Sequence, residues 1–375
     1  MIFSNTFSIF QTNRFFLMLI LLYTVAFAWD NEVEINPVDM ADLDARVHEA
    51  IETAGILVND SKLEQHLNEL TAQISAVLPG TVPPYRIRII KSSELNAFSL
   101  SDGTIYISLG MFGLIDNDAQ MAMLLAHEIS HIDLDHHRLF RYELHKTAAF
   151  NSFWGGNTPY NLRTALSGFS ITQEQAADSS ALSIIINRGY NAWASIGLLQ
   201  TMYIWLKYKE RSYDSTIATH PRLYTRYNTC KDHLIKVHFD TTKGYIGDST
   251  YLAAIKKQQR SIVNLLQQSN CVNELYAMTR KKIERYGNVP DWHYLRGSIM
   301  ERFHPVDSFA IAYNELNTAL RLDPSLTAGL RDLGWLFLKN KQYDSARTYL
   351  SQYLVHNPHA SDSSTILFYL ESINE

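Results

Sequence analysis

Cysteine is scarce: Cys230 and Cys271 are the only two in 375 residues, too few for the disulfide framework of a small secreted scaffold. Blocks of like charge are missing as well. Lys and Arg number 33 against 38 Asp and Glu, a net charge of -5, and without a basic stripe a dedicated nucleic-acid binder is excluded. After residue 28 no stretch is long and apolar enough to span a bilayer. Disorder is excluded too, because 46% hydrophobic and 19% charged residues is ordinary globular composition. A chain this long has room for two or three units, each with its own core.

The one long apolar run lies at the start. Arg14 is the only charge before Phe15 to Ala28, and the run ends in Ala26-Phe27-Ala28. A positive n-region, an apolar h-region and an A-x-A-like site together predict a signal peptide over residues 1–28, cut after Ala28. An uncleaved anchor is the alternative, but the run is shorter than the ~20 residues a spanning helix needs. Either way the rest of the chain is exported. No cysteine follows the run, which excludes a lipoprotein anchor there. In an oxidising compartment Cys230 and Cys271 either pair or stay as two partly buried thiols.

Helical periodicity covers Val38 to Leu78, with apolar residues at Leu43, Val47 and Ile51, then at Leu63, Leu67, Leu70 and Ile74. Pro79-Gly80 and Pro83-Pro84 stop it. Tyr85 to Ile90 and Thr104 to Leu109 read as two strands of a small antiparallel sheet, with Ser101-Asp102-Gly103 as the turn. Asp116-Asn117-Asp118 can cap a helix that runs through the apolar stretch Met121 to Ala126. Residues 151–160 read as loop, and a later helix runs from Ile171 to Asn187 and ends at Gly189. In the last third Pro324 and Pro358, Ala312 and Ala346, and Leu316 and Leu350 all stand 34 residues apart, the tetratricopeptide period. An insertion of about three residues near His304-Pro305 places Gly297 opposite Gly334. Two repeats are predicted, with a degenerate third between Tyr251 and Tyr286.

The helix after Met121 carries His127-Glu128-Ile129-Ser130-His131. Residues four apart differ by about 400°, so both imidazoles lie on one face and can reach one metal ion, while Glu128 lies about 100° round, beside the metal and able to act as a base. A catalytic zinc needs a third protein ligand. His137 stands ten residues after His127, but Leu134 occupies the position where the metzincin pattern has its helix-breaking Gly. On a continuing helix His137 points away. Glu174 is the better candidate, because Glu174 and Asp178 share a helix face: the first can ligate while the second accepts from the outer nitrogen of a ligand, assigned here to His127.

At these residues the chain resembles the gluzincin metallopeptidases of the HtpX and CAAX prenyl endopeptidase family. The resemblance covers roughly Asp60 to Arg226. It rests on Asn96-Ala97-Phe98 before Gly103-Thr104-Ile105-Tyr106, on His127-Glu128-x-x-His131 with His136 beyond, on Glu174-x-x-x-Asp178, and on Thr219-His220-Pro221 followed by Arg226. It implies a mainly helical α+β chain: a zincin-type domain with a small sheet beside the cleft over residues 29–240, then an α-solenoid of tetratricopeptide repeats over 250–375. It also implies one Zn2+ per chain, and a His220 able to take the fourth zinc position as a latch. Arg226 and His220 are then expected to stabilise the oxyanion or gate the site.

Thr104, Tyr106 and Ser108 are expected on an edge strand that pairs with extended substrate. Leader, domain and repeats together match the periplasmic members of that family. The expected function is therefore a periplasmic zinc endopeptidase for misfolded or stalled outer-membrane proteins. The repeats bind clients or the assembly machinery, with no nucleic-acid partner and no membrane span after leader cleavage. The competing reading is a periplasmic chaperone or adaptor whose zinc is structural or permanently latched. A prenyl-protein endopeptidase embedded in the membrane is excluded by the lack of further spans.

Overall fold

The computed structural model describes residues 40–76, 84–137, 169–209, 223–267, 272–303 and 308–372. The leader, residues 151–160, His220 and Cys271 lie outside these ranges. The helical stretch predicted for Val38 to Leu78 is two helices, α1 (Met40–Thr53) and α2 (Ser61–Ser75). Gly55 takes a positive φ of 62° between them, and Asp60 caps the second by accepting from the Leu63 amide. Leu63, Leu67, Leu70 and Ile74 of α2 are buried in the main core.

The sheet has three strands, not two. β1 (Arg86–Ile90), β2 (Ala97–Ser99) and β3 (Thr104–Ser108) are ordered β1-β3-β2. β1 and β3 are parallel and β2 and β3 antiparallel, which corrects the expectation of an antiparallel pair. Three residues are too few for β2 to show a twofold pattern in sequence, and without β2 as the return strand the parallel pairing is not visible.

This pairing also corrects the placement of Thr104, Tyr106 and Ser108. They stand on the central strand, all buried, so they cannot offer an edge to substrate. The side chain of Tyr106 meets His48 of α1 at 2.6 Å, and the Ser108 hydroxyl donates to the Glu94 carbonyl. The outer side of β1 is bridged at Ile90 by Leu57, which leaves β2 as the edge facing the candidate site.

After a short α3 (Met111–Leu114), α4 (Asp118–Asp133) starts where the Asn117 side chain accepts from the Gln120 amide, and it is buried from Asp118 to His131. α5 (Ile171–Asn187) opens on a reciprocal capping box between Ser170 and Gln173 and ends just before Gly189 at φ 75°. α6 (Ala192–Lys209) packs on α4, and α7 (Leu223–Lys236) packs on α5 and α6. Among the described residues no helix is long and apolar enough to cross a membrane.

The chain continues through α8 (Asp248–Ile255), a 3-10 turn, α9 (Gln259–Gln267) and α10 (Val272–Tyr286). These pack into the same core as α2 to α6. Lys282 of α10 is fully buried, donating to the Ile115 carbonyl at 2.5 Å and pairing with Asp116 at 2.8 Å. Tyr286 donates to the Asp116 carbonyl. The C-terminal helices thus grip the loop from which α4 departs.

Two helical hairpins follow, α11 (Pro290–Phe303) with α12 (Phe309–Leu322) and α13 (Ala328–Lys339) with α14 (Tyr343–His356), and then α15 (Ser363–Ser372). The same close contact recurs in both. A Cβ added to Gly297 would stand 2.7 Å from Leu316, and one added to Gly334 would stand 2.5 Å from Leu350. Gly334→Ala is therefore expected to cost about 1–3 kcal/mol by overpacking, read as a lower urea midpoint. An unchanged midpoint would show that Leu350 moves aside freely.

Candidate metal centre

Each half of the centre is set by helix geometry. One turn of α4 places the Nε2 atoms of His127 and His131 3.0 Å apart, and α5 crosses so that Glu174 faces both. Its Oε2 lies 3.5 Å from His127 Nε2 and its Oε1 3.5 Å from His131 Nε2. Donor atoms of His127, His131 and Glu174 all fall within 4.8 Å of one another, and all three residues are buried.

Asp178, one turn beyond Glu174, has Oδ1 3.0 Å from His127 Nδ1. His136 has Nδ1 3.0 Å from His131 Nδ1, so each imidazole has a partner behind it that can fix its tautomer. Phe169 stacks on the His131 ring at 3.9 Å and 21°. Glu128 stands on the side of α4 facing β2, where the Ser99 hydroxyl donates to its Oε2 at 3.0 Å.

Arg226 on α7 reaches the same site. Its Nε and Nη2 donate to the two oxygens of Asp178 at 2.7 Å each, and its Nη1 lies 2.6 Å from Glu174 Oε2. A guanidinium clamped between two buried carboxylates braces both, with three of its five N–H groups engaged. These contacts hold Asp178 and Glu174 in place beside the two imidazoles. His220 lies outside the described residues.

Leu134 does not let α4 run on, as the ten-residue argument assumed. The helix stops at Asp133, and Asp135 adopts a left-handed φ of 55°. His137 nevertheless stays out of the ligand set and meets the Ser99 hydroxyl at 3.2 Å. Ser99 was missed because its signal, adjacency to Asn96-Ala97-Phe98, says nothing about which helix the strand will face. Cys230, one turn beyond Arg226, is a free buried thiol, pushed up to about 12 by burial and by the charge of Asp178.

The electrostatics fit a dication. Burial and the charge of Arg226 oppose protonation of His127, yet its hydrogen bonds to Asp178 and Glu174 lift it to about 9. Burial likewise opposes ionisation of Asp178, but the Arg226 charge and hydrogen bonds hold it at about 2. Burial keeps His136 below its ordinary value, so it can serve as a neutral partner. Glu128, Glu174 and Asp178 are buried carboxylates and Arg226 is a buried guanidinium. With His127 neutral, as a metal ligand has to be, these described groups leave two formal negatives unmatched, an arrangement that a low-dielectric site tolerates only with a compensating cation. Two imidazole nitrogens and one carboxylate oxygen are the donor set that zinc takes.

Residues 58–233 match the profile of Peptidase family M48. The chain is similar to the beta-barrel assembly-enhancing protease of Escherichia coli (strain K12), 24% identical over 185 residues that cover 44% of this chain and 37% of the relative. The Yersinia pestis protein of the same name is 25% identical over 185 residues with the same coverage. A putative beta-barrel assembly-enhancing protease of Vibrio cholerae is 20% identical over 329 residues, 85% of this chain and 59% of the relative. This chain thus spans about 37% of the length of the first two relatives.

Proposed function

This chain carries a peptidase family M48 domain over residues 58–233 and resembles the beta-barrel assembly-enhancing proteases, and from that premise we propose that it is a zinc-dependent endopeptidase of the periplasm. The observation that carries the reading is the convergence of His127, His131 and Glu174 from two helices, with Glu128 beside them. His127, His131 and Glu174 would hold the zinc, which when bound would supply Lewis acidity and a more acidic water. Glu128, oriented by Ser99, takes the proton from the attacking water and passes it to the leaving amine. Asp178 and His136 hold the two imidazoles in register, and Arg226 holds Asp178 and Glu174. The β2 edge, adjoining Glu128, is the better candidate for pairing with extended substrate backbone.

The relatives are named beta-barrel assembly-enhancing proteases, and the proposal extends to clients of this chain among misfolded or stalled outer-membrane proteins. Residues 29–240 are assigned the chemistry. Residues 250–375 are assigned tetratricopeptide-like binding of clients or assembly machinery; the recurring Gly297–Leu316 and Gly334–Leu350 contacts support that repeat. The leader over residues 1–28 supports export. Cleavage of unfolded casein by the zinc-loaded chain, and its loss on chelation, tests the reading; casein left intact with zinc bound would refute it. His220 is assigned the latch on sequence grounds. His220→Ala is accordingly expected to raise casein cleavage several-fold, and unchanged or lost cleavage would remove the latch from the proposal.

A further inference from the structure

Just beyond α4, Asp135 takes its left-handed φ of 55°, and the two histidines after it go to different places. His136 meets the back of His131, Nδ1 to Nδ1 at 3.0 Å. His137 meets Ser99 Oγ with its Nε2 at 3.2 Å, and the Ser99 hydroxyl in turn donates to Glu128 Oε2 at 3.0 Å. Imidazole, hydroxyl and carboxylate therefore stand in a row, with the hydroxyl in the middle. His137 is half-buried, its ring edge-on to Phe169 at 5.3 Å and 71°, and Phe169 stacks on His131 as well.

Hydrogen counting sets the direction of the row. A hydroxyl has one hydrogen to give, and an ionised carboxylate only accepts. With the Ser99 hydrogen on Glu128, only lone pairs face His137, so its Nε2 has to carry a hydrogen of its own. A bare Nε2 would compete with Glu128 for the single hydroxyl hydrogen, and the carboxylate would lose its donor part of the time. We propose that His137 is a positioning residue for the general base: its Nε2–H donates to Ser99 Oγ, turns the hydroxyl hydrogen onto Glu128, and so holds that carboxylate in one orientation beside the metal site. The proposal deepens the metallopeptidase reading and rests on it. The neutral Nε2–H tautomer and the imidazolium both meet the requirement. A hydroxyl that accepts a hydrogen bond is also polarised into a better donor. A base that swings away loses the reach that proton transfer needs. None of the three metal ligands belongs to the row, so the effect falls on turnover and not on the binding of zinc or substrate.

Nitrogen NMR of the zinc-loaded full chain with isotope-labelled histidine reads that hydrogen directly and requires no catalysis. The His137 signals are the ones missing from His137→Gln. A protonated Nε2 is expected in the wild type, and a return to the tautomer mixture of a solvated imidazole in Ser99→Ala; a bare Nε2 in the wild type would overturn the proposal. Kinetics on casein complete the test. His137→Ala is expected to lower kcat by about three- to tenfold, the scale of one hydrogen bond, with KM and zinc content kept. His137→Gln presents an N–H at similar reach and is expected to recover most of the loss. In the Ser99→Ala background His137→Ala is expected to add no further loss, because the hydroxyl through which it acts is gone. An unchanged kcat, lost zinc, no rescue by Gln, or equal losses in the two backgrounds would each refute the positioning role. A wild type that leaves casein intact would refute the peptidase reading, while the nitrogen signals would still decide whether His137 donates to Ser99.

Discussion

Glu128→Gln is expected to keep its zinc and lose about a hundredfold to ten-thousandfold of casein cleavage, the range a general base contributes. The substitution changes little in shape. Glutamine still accepts the Ser99 hydroxyl hydrogen bond seen at 3.0 Å, and the ligands His127, His131 and Glu174 are untouched. What it cannot do is accept a proton, so the loss falls on turnover and not on binding. Zinc content and casein digestion of the same preparation check the prediction. Full zinc with undiminished cleavage would remove Glu128 from the mechanism, whereas a zinc-loaded wild type that leaves casein intact would restore the chaperone or adaptor reading, in which the ion is structural.

Arg226→Ala is the second large effect, and it differs in kind. Removing the guanidinium leaves Asp178 and Glu174 buried without the cation that pairs with both, His127 being their remaining common neighbour. Breaking a buried pair from one side costs about 3–5 kcal/mol, and loosening the groups that orient metal ligands costs about 10–100-fold in metal affinity or activity. Urea unfolding of the chelated chain reports the first loss and a competitive zinc titration the second. Arg226→Lys is expected to recover only part of either, since one ammonium cannot reproduce two parallel bonds to Asp178 and a third to Glu174. An Arg226→Ala chain with wild-type stability and zinc affinity would show that Asp178 and Glu174 need no brace.

Both variants depend on features of unequal legibility in the sequence. The His127, Glu128 and His131 spacing and the bounds of α5 at Ser170 and Gly189 are written locally, in helix periodicity, a capping box and a glycine that takes positive φ. Glu174 and Asp178 could be singled out because four-residue spacing fixes a shared face. Most of the remaining differences concern which segments meet. Nothing near Thr104 reveals that β2 lies on its far side, so a central strand looked like an edge. Nothing near Arg226 reveals that α7 brings it against both Asp178 and Glu174. The break after α4 was hidden for a different reason: Asp135 takes a left-handed conformation usually left to glycine or asparagine, and side-chain chemistry alone does not announce it.

The attachment of the C-terminal helices was equally invisible. Lys282 reads as one more surface charge on an amphipathic helix, yet it is buried against Ile115 and Asp116. The 34-residue spacing, by contrast, survives as a physical contact, because Gly297 and Gly334 each admit a leucine from the following helix.

Zinc content per chain, compared between the wild type and Glu174→Ala after identical purification and dialysis, tests the central claim most directly. Near one zinc per wild-type chain is expected, and little in the variant, because two histidines on one helix turn hold the ion weakly without the carboxylate. A wild type devoid of zinc, or a Glu174→Ala chain that retains it in full, would contradict the account.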